Sequence, residues 1–502
     1  MFVSPSLDEN IAYLGGAFSG CGDIVSRKLS VGQDKQITIY ITYADNMTNR
    51  SILEESVFVR LLTKPLKIGV FQKTDALGII MEEAIGTAEA ELSPDMDEII
   101  LAVLSGDTAI FADGCAQAIV LSTKGWPNRG VNATETEVVI QGSKEAFSET
   151  FRINTALIRR RIRDTRLKIK QMKSGTRSKT DIALVYLDDV VRPSILREVE
   201  EKIEGINIDA ILDSGYIEQF IEGNTLSPFP QTQMTERPDK AAAAILEGRI
   251  VIVVDNSPFV LIVPATLNVF FQSAEDYYQR WTIMSFLRLL RYVGALLSVI
   301  LPALYIAIDV YNPAMLPSLM VLKMAAARLM VPFPALFEVL IMQLAFELLG
   351  EADIRLPGPM GGAVGIVGGL IIGQAAVEAG IVSPIIVVVA ALTGICSFTI
   401  PNISLVGGLR LARYFLIFCA APFGLLGFWV GILILLIHLA SLKSFGIPYL
   451  YPFCSPDVTD YDDLKDSIFR APLPMMKRRP IFANRDCARR TDEEEGLHDL
   501  SK

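Results

Sequence analysis

The sequence predicts an α/β cytoplasmic domain of two subdomains followed by an all-α integral membrane domain of five to six membrane segments. Three observations predict it. Of 102 charged side chains, fourteen fall in residues 281–446 and the other 88 in the flanks, so one composition cannot describe both parts. Before residue 281, short β-branched runs alternate with helical periodicity. After it, charge-free runs reach the length that crosses a bilayer, about 20 residues. These breaks divide the chain into an N-terminal α/β subdomain (1–142), a second α/β subdomain (143–280), a helical transmembrane domain (281–445) and a polar C-terminal tail (446–502).

The first 20 residues, MFVSPSLDENIAYLGGAFSG, carry acids and no basic segment before an apolar core. They do not read as a secretory signal, and the large N-terminal region is expected in the cytoplasm. Residues 36–43, QITIYITY, read as a strand, with Asn46 and Thr48 as caps for a helix over 50–62. The runs IILAVLSGDTAIFADGCAQAIVLS and AAAAILEGRIVIVVDNSPFVLIVP align at an offset of 142, which brings Leu104/Leu246, Gly106/Gly248 and Asp113/Asp255 into coincidence. Each reads as helix, glycine stop, strand, Asp-led turn, strand. The alignment predicts two subdomains with a helix feeding a hairpin and leaves internal duplication open.

Between the two runs, Phe147, Phe151, Ile158 and Ile162 share a helical face, and Leu167, Ile169 and Gln171 alternate as in a strand. From residue 159 to 179 stand ten basic residues and one acid, Asp164. They suit either a docking surface for anionic membrane lipid or an acidic partner, or a solvated helix face and turn. A βαβ-like run follows: strand 181–187, helix 194–203, strand 207–212, helix 214–222. No GxGxxG or P-loop opens any of these helices.

Arg280, Arg288 and Arg291 precede the first charge-free run, 292–308, so its start is expected on the cytoplasmic side. Residues 314–331, with Lys323, Arg328 and flanking prolines, read as an interfacial helix. Segments 334–350, 356–380 and 381–406 follow. The last run, 414–442, is too long for one straight span: 29 residues make about 43 Å of helix against a core of about 30 Å. With Pro422 inside, it is either one kinked span or two, and that choice decides the side of the tail.

The net charge of −10 gives no support to nucleic-acid binding. Six scattered cysteines without a CxxC pair argue against a zinc site or a disulfide framework. With two histidines in the chain, a His-rich metal site or His-based triad is nearly excluded. No catalytic residue, metal site or cofactor is expected.

The stretch LPGPMGGAVGIVGGLIIGQAAVEAG at 356–380 has eight glycines and no charge before Glu378. A glycine inside a helix costs roughly 1 kcal/mol relative to alanine, so eight require a return. Gly361, Gly365, Gly369 and Gly373 recur every four residues and form a slowly drifting stripe. Such a stripe lets another helix backbone come close, in a pore wall, between subunits or within one subunit. The adjoining row Ile366, Leu370, Gln374 and Glu378 passes from apolar to polar, as a dewetting gate followed by a cation-attracting ring would. On helix 334–350 and just beyond, Gln343, Glu347 and Glu351 form a second polar row, which Glu338 cannot share.

The runs FPQTQMTERPDKAAAAILEGRIVIVVDNSPFVLIVP, FFQSAEDYYQRW and FELLGEADIRLPGPMGGAVGIVGGLIIGQAAVEAGIVSP, with DLKD at 463–466, resemble the A subunit of the GerA family of spore germinant receptors. The resemblance covers roughly residues 36–480 and includes SKEAFSETFRINTALIRRRI. The segment before that run often reads RGP in the family and here reads QGS. The resemblance implies a multi-pass protein of the bacterial spore inner membrane with its N-terminal domain on the core side. Its implied partners are a transporter-like B subunit, to which germinant recognition is mainly attributed, and a lipoprotein C subunit. It further implies a homo-oligomeric ring that forms a nutrient-gated ion channel. A permease subunit working by alternating access and a non-conducting scaffold are the alternatives; the hydropathy contains no inverted repeat to favour the first.

Overall fold

The computed structural model describes residues 1–31, 37–63, 76–81, 89–125, 134, 136–329, 331–355, 369, 371–454 and 463–490. Contacts divide the chain into two compact units. One contains Met1–Glu222, Thr232–Pro264 and the segment from Lys477 onward; the other contains Gly223–Gln231 and Ala265–Met476.

The first unit holds two five-stranded sheets. Strands β1 (Ile24–Val31), β2 (Ile37–Ala44), β3 (Ala90–Ser93), β4 (Thr108–Ala112) and β5 (Ala118–Leu121) are ordered β1-β2-β4-β5-β3. Strands β6 (Leu167–Ser174), β7 (Thr180–Leu187), β8 (Gln233–Thr235), β9 (Ile250–Val254) and β10 (Val260–Val263) are ordered β6-β7-β9-β10-β8, the same topology. Register agrees as well. Ile39 faces Ala112 as Ile182 faces Val254, and Ser93 faces Ala118 as Thr235 faces Val260. Helices Met96–Leu104 and Pro238–Leu246 stand 142 residues apart, as do β4 and β9. Gly106 and Gly248 end those helices at φ 98° and 89°, a conformation that favours glycine. An asparagine clasp also recurs: Asn10 bonds the backbone N–H and C=O of Ser4, and Asn154 does the same to Ser148. The offset in the sequence therefore marks one structural unit built twice.

Every described pairing in these two sheets is antiparallel, which corrects the βαβ-like expectation for 181–222. Residues 207–212 form no strand; they carry the chain to helix Ser214–Ile221, which Asp213 caps. Strand β1 was not read from the sequence, because Arg27 and Lys28 interrupt its apolar pattern on an exposed edge. Around residue 50 the cap is Asn49, whose side chain accepts from the N–H groups of Ser51 and Ile52, rather than Asn46 or Thr48.

The two halves of this unit are joined by a buried ion pair. Arg159, fully buried, places Nε 2.7 Å and Nη2 2.9 Å from the Asp23 carboxylate, and its remaining donors reach the carbonyls of Asp164 and Leu167. Burial pushes the neighbouring Cys21 thiol above its ordinary range, partly offset by Arg159. The basic run is largely spoken for. Arg160 and Arg161 hold Glu145, Arg166 holds Asp164 and Asp189, and Lys170, Lys173 and Arg177 meet Glu200, Asp181 and Asp209. Burial alone would raise the Glu145 carboxyl, but the two arginines outweigh it and hold it below its usual range. The solvated, internally paired face is the reading that this geometry supports.

Residues 477–490 belong to the first unit. Asn484 N–H donates to Val190 O at 2.7 Å, Arg192 Nε donates to Ala483 O at 2.9 Å, and an ideal Cβ on Gly248 would lie 2.6 Å from Ala483 Cα.

In the second unit, two helical segments among the described residues are long and apolar enough to cross a membrane, 281–311 and 403–441. The first begins at Trp281, eleven residues before the charge-free run, because Arg288 and Arg291 are sequestered by carboxylates. Helix Ser318–Arg328 occupies the expected interfacial stretch, and Ala335–Arg355 and Pro384–Phe398 follow. Asn402 then caps helix Ile403–Ser441, accepting from the N–H of Leu405, so the expected segment 381–406 ends short.

The segment 403–441 is not one rod. Gly424 stands at φ 59°, ψ −134°. Leu416 and Gly431 would be about 22 Å apart along a straight helix, yet an ideal Cβ on Gly431 would lie 2.8 Å from Leu416 Cδ2. The chain reverses at Gly424, and two antiparallel arms pack through Gly427 and Gly431 against Cys419 and Leu416.

Candidate functional site

Helix Ala335–Arg355 carries Glu338, Gln343 and Glu347 into apolar surroundings, and each finds partners on other segments of the second unit. Gln343, buried, accepts at Oε1 from Arg413 Nη1 at 2.6 Å. Glu347 pairs with Arg410 at 2.8 Å and with Arg413 at 3.5 Å. Buried charge is costly unless paired and hydrogen-bonded, and here the first arm of the hairpin supplies the cations. Because Gln343 turns its oxygen to the guanidinium, its Nε2 points away and finds no hydrogen-bond partner among the described residues. Glu351, one turn on, is exposed.

Glu338 lies apart from this row, as its spacing required. It is fully buried, accepts the N–H of Ser383 at 2.8 Å and lies 3.6 Å from Arg328, which also holds Asp309 at 2.5 Å. Its carboxylate thus meets the first turn of helix Pro384–Phe398, where the helix dipole favours negative charge.

At the start of the first long helix, Asp276 and Arg288 are both fully buried and 2.8 Å apart, and Arg291 meets Asp276 at 2.9 Å. Arg288 also meets Asp466 at 2.7 Å, and Tyr277 donates to Asp466 at 2.6 Å. The guanidiniums of Arg288 and Arg470 stand 5.5 and 5.3 Å from the Tyr277 ring. This cluster fixes the DLKD motif to the root of the first long helix.

In the glycine-rich stretch, Gly361, Gly365, Ile366 and Leu370 lie outside the described residues. Gly369 faces Phe346 and Leu349, with an ideal Cβ 3.6 Å from each. Gly373 is buried, and its ideal Cβ would be 3.0 Å from Val387 Cγ1, so the two described glycines of the stripe face helices of the same chain. Gln374 and Glu378 are exposed, and Gln374 Nε2 donates to Glu378 Oε1 at 3.0 Å. The two polar rows do not converge: Gln343 and Glu347 are neutralised inside the chain, whereas Gln374 and Glu378 stand open.

By the positive-inside rule Arg410 and Arg413 mark the start of the 414–442 run as cytoplasmic, a sequence reading that names no carboxylate partner for them; Asp276 and Asp466 enter that reading only within the motifs FFQSAEDYYQRW and DLKD. The available signal was charge in an apolar context: a carboxylate within a hydrophobic helix demands a cation, and the two arginines before the last run were the nearest supply.

Over residues 12–482 the chain matches the family described as Bacillus/Clostridium GerA spore germination protein. It is 40% identical to the uncharacterized membrane protein YfkQ of Bacillus subtilis, over 95% of this chain and 91% of that one. It is 38% identical to spore germination protein KA of the same organism, over 97% and 88%. With spore germination protein GerLA of Bacillus cereus it shares 41% identity over 80% and 81%. Among solved structures, the N-terminal domain of the A subunit of the Bacillus megaterium spore germinant receptor GerK3 matches with 29% identity and a TM-score of 0.42, over 53% of this chain and 98% of that one. The matched range spans both units, and the chain is a member of the GerA spore germination protein family.

Proposed function

We propose that this protein is the A subunit of a spore nutrient germinant receptor that oligomerises in the membrane and forms a germinant-gated, cation-conducting channel. The observation that carries the reading is the family match over 12–482, with relatives named as spore germination proteins at 38–41% identity. A transporter-like B subunit and a lipoprotein C subunit complete the receptor in the spore inner membrane, with the α/β unit on the core side.

The geometry supports a division of labour within 281–445. Gln343 and Glu347 are locked to Arg413 and Arg410 and serve packing. Gly369 and Gly373 bring the glycine-rich helix close to its neighbours in the chain, which leaves Gln374 and Glu378 on the opposite, open side. In the ring, Gly361 and Gly365 continue the packing stripe, Ile366 and Leu370 supply the apolar gate, and Gln374 and Glu378 the cation-attracting mouth. No step in this reading is enzymatic.

An even number of crossings fits the chain's course. Residues 477–490 pack in the same compact unit as the N-terminal domain, which supports a return of the chain to the side from which it left. Six segments satisfy this: 281–306, 335–355, the glycine-rich stretch, 384–398 and the two arms of the hairpin.

The reading is tested by purifying the full-length protein in lipid nanodiscs and measuring its mass and its conductance in a planar bilayer. A closed oligomer that carries cation current supports it. A monomer, or a silent oligomer, contradicts the channel and leaves the scaffold.

A further inference from the structure

We infer that the strap 463–476, DLKDSIFRAPLPMM, lies in the membrane–water interface, with Phe469, Leu473 and Met475 set among lipid at the root of the first long helix. The strap follows the last apolar segment and belongs wholly to the second unit.

For a segment in water, the strap is built inside out. Its polar groups turn into the protein. Arg470 is 4% exposed, and its Nη1 donates to the carbonyls of Asp276 and Gln279 at 2.6 and 3.1 Å. The Asp466 carboxylate accepts from Arg288 and Tyr277, and its carbonyl from Gln272 Nε2 at 2.8 Å. Ser467, also buried, offers its carbonyl to Arg288 at 3.2 Å. Its large apolar groups turn outward. Phe469, immediately before the buried arginine, is 60% exposed, Leu473 53% and Met475 63%. Water favours the opposite arrangement, and hydrocarbon reverses that preference.

The choice of lipid as partner follows from what the strap is docked on. Ser285 Oγ donates to the Arg470 carbonyl and accepts the Arg470 N–H, each at 3.0 Å. Ser285 lies in the second turn of helix Trp281–Ile306, within a segment long and apolar enough to cross a membrane. The same inversion holds there: Arg288 is fully buried, whereas Ile283, Phe286 and Leu290 are exposed. Those three share one helical face, and Leu289, one turn on from Ser285, joins that face to the docking point. Phe469 therefore continues the apolar surface that the spanning helix presents to lipid. Trp281 is exposed at the helix start, a side chain suited to this level of the bilayer, and the exposed Arg280 beside it suits anionic headgroups.

An anchored strap has a use. The side clamped to Arg288 and Ser285 and the side set in lipid together hold the root of the first span at one depth in the membrane. This placement rests on helix Trp281–Ile306 crossing the bilayer and not on conduction.

Nitroxide labelling of the full-length protein in phosphatidylethanolamine–phosphatidylglycerol nanodiscs tests it. Cys419, Cys454 and Cys487 are first replaced by alanine, since the other three cysteines are buried. Labels are then placed singly through Phe469→Cys, Leu473→Cys and Met475→Cys. Lys465→Cys is the exposed polar reference on the strap, and Leu296→Cys the reference on the exposed face of the helix. Relaxation by oxygen, which concentrates in hydrocarbon, is compared with relaxation by a water-soluble nickel chelate. The oxygen-to-nickel ratio at the three strap positions is expected to exceed that at Lys465→Cys by about three-fold or more, as for side chains about 5–10 Å into the boundary. Ratios equal to that of Lys465→Cys overturn the inference, because the strap then lies in water. Weak relaxation by both reagents overturns it as well, because protein then covers the strap. A lipid-like ratio at Leu296→Cys beside water-like strap positions refutes the strap alone; a water-like ratio at Leu296→Cys refutes the spanning helix with it.

Discussion

Arg159 and Asp23 show how much a single buried pair can hold. Two charge-assisted bonds, with the rest of the guanidinium on backbone carbonyls, satisfy both groups without solvent. Removing one partner leaves the other charged and buried, a loss of about 3–5 kcal/mol. Asp23→Ala is therefore expected to lower the denaturant midpoint of the N-terminal unit strongly, while Arg177→Ala, whose partner Asp209 is exposed at 3.9 Å, should change it by less than about 1 kcal/mol. Equal shifts for the two would mean that the buried pair is not what joins the halves. The pair was not legible in the sequence, because 136 residues separate its members and Arg159 read as one more charge in a basic run. Gln343 and Glu347 were legible as a polar row, but their partners were not: i, i+4 spacing gives a face, and only the tertiary fold says what covers it.

Among the elements, the hairpin at Gly424 has the sharpest consequences. Its dihedral angles lie where only glycine is comfortable, and an ideal Cβ would be 2.7 Å from the Tyr311 ring. The reversal frees backbone carbonyls in an apolar setting, and Tyr311 Oη donates to Ala421 O at 2.6 Å. Gly424→Ala is expected to destabilise the membrane unit by about 1–3 kcal/mol from backbone strain alone. Tyr311→Phe should cost about 1 kcal/mol from the lost bond. Unfolding in mixed micelles checks both; a neutral Gly424→Ala would mean that the chain runs on through this point as one helix. Length and Pro422 flagged the segment in the sequence, but did not choose between a kink and a reversal. The choice is made by Gly427 and Gly431, whose missing side chains let the second arm lie on the first. By contrast, the helix-and-hairpin repeat was legible, because Gly106 and Gly248 stop their helices at the same register and strictly apolar β-runs follow.

At the scale of the whole molecule, the composition break near residue 281 separated soluble from apolar sequence, and the tertiary fold adds that the chain comes back. The return at 477–490 has weak sequence signal: a strap held by backbone bonds and by a close approach to Gly248 leaves no periodicity to read. On the proposed six-segment course, the tail lies on the side that bears the α/β unit. Cys454 is exposed and lies beyond the hairpin, so a membrane-impermeant maleimide should label it only from the side that bears the α/β unit. Labelling from the opposite side would require an odd number of crossings and contradict the six-segment course.

The central claim is that a ring of these chains conducts cations past Glu378, and reversal potential in a salt gradient tests it most directly. Several copies of one exposed carboxylate around an axis concentrate cations at the mouth. Full-length protein in a planar bilayer is expected to be cation-selective, Glu378→Gln less so, and Glu378→Lys weakest or reversed, with all three assembling alike. The same reversal potential for all three side chains would contradict the account, leaving Glu378 an ordinary solvated residue at the membrane surface.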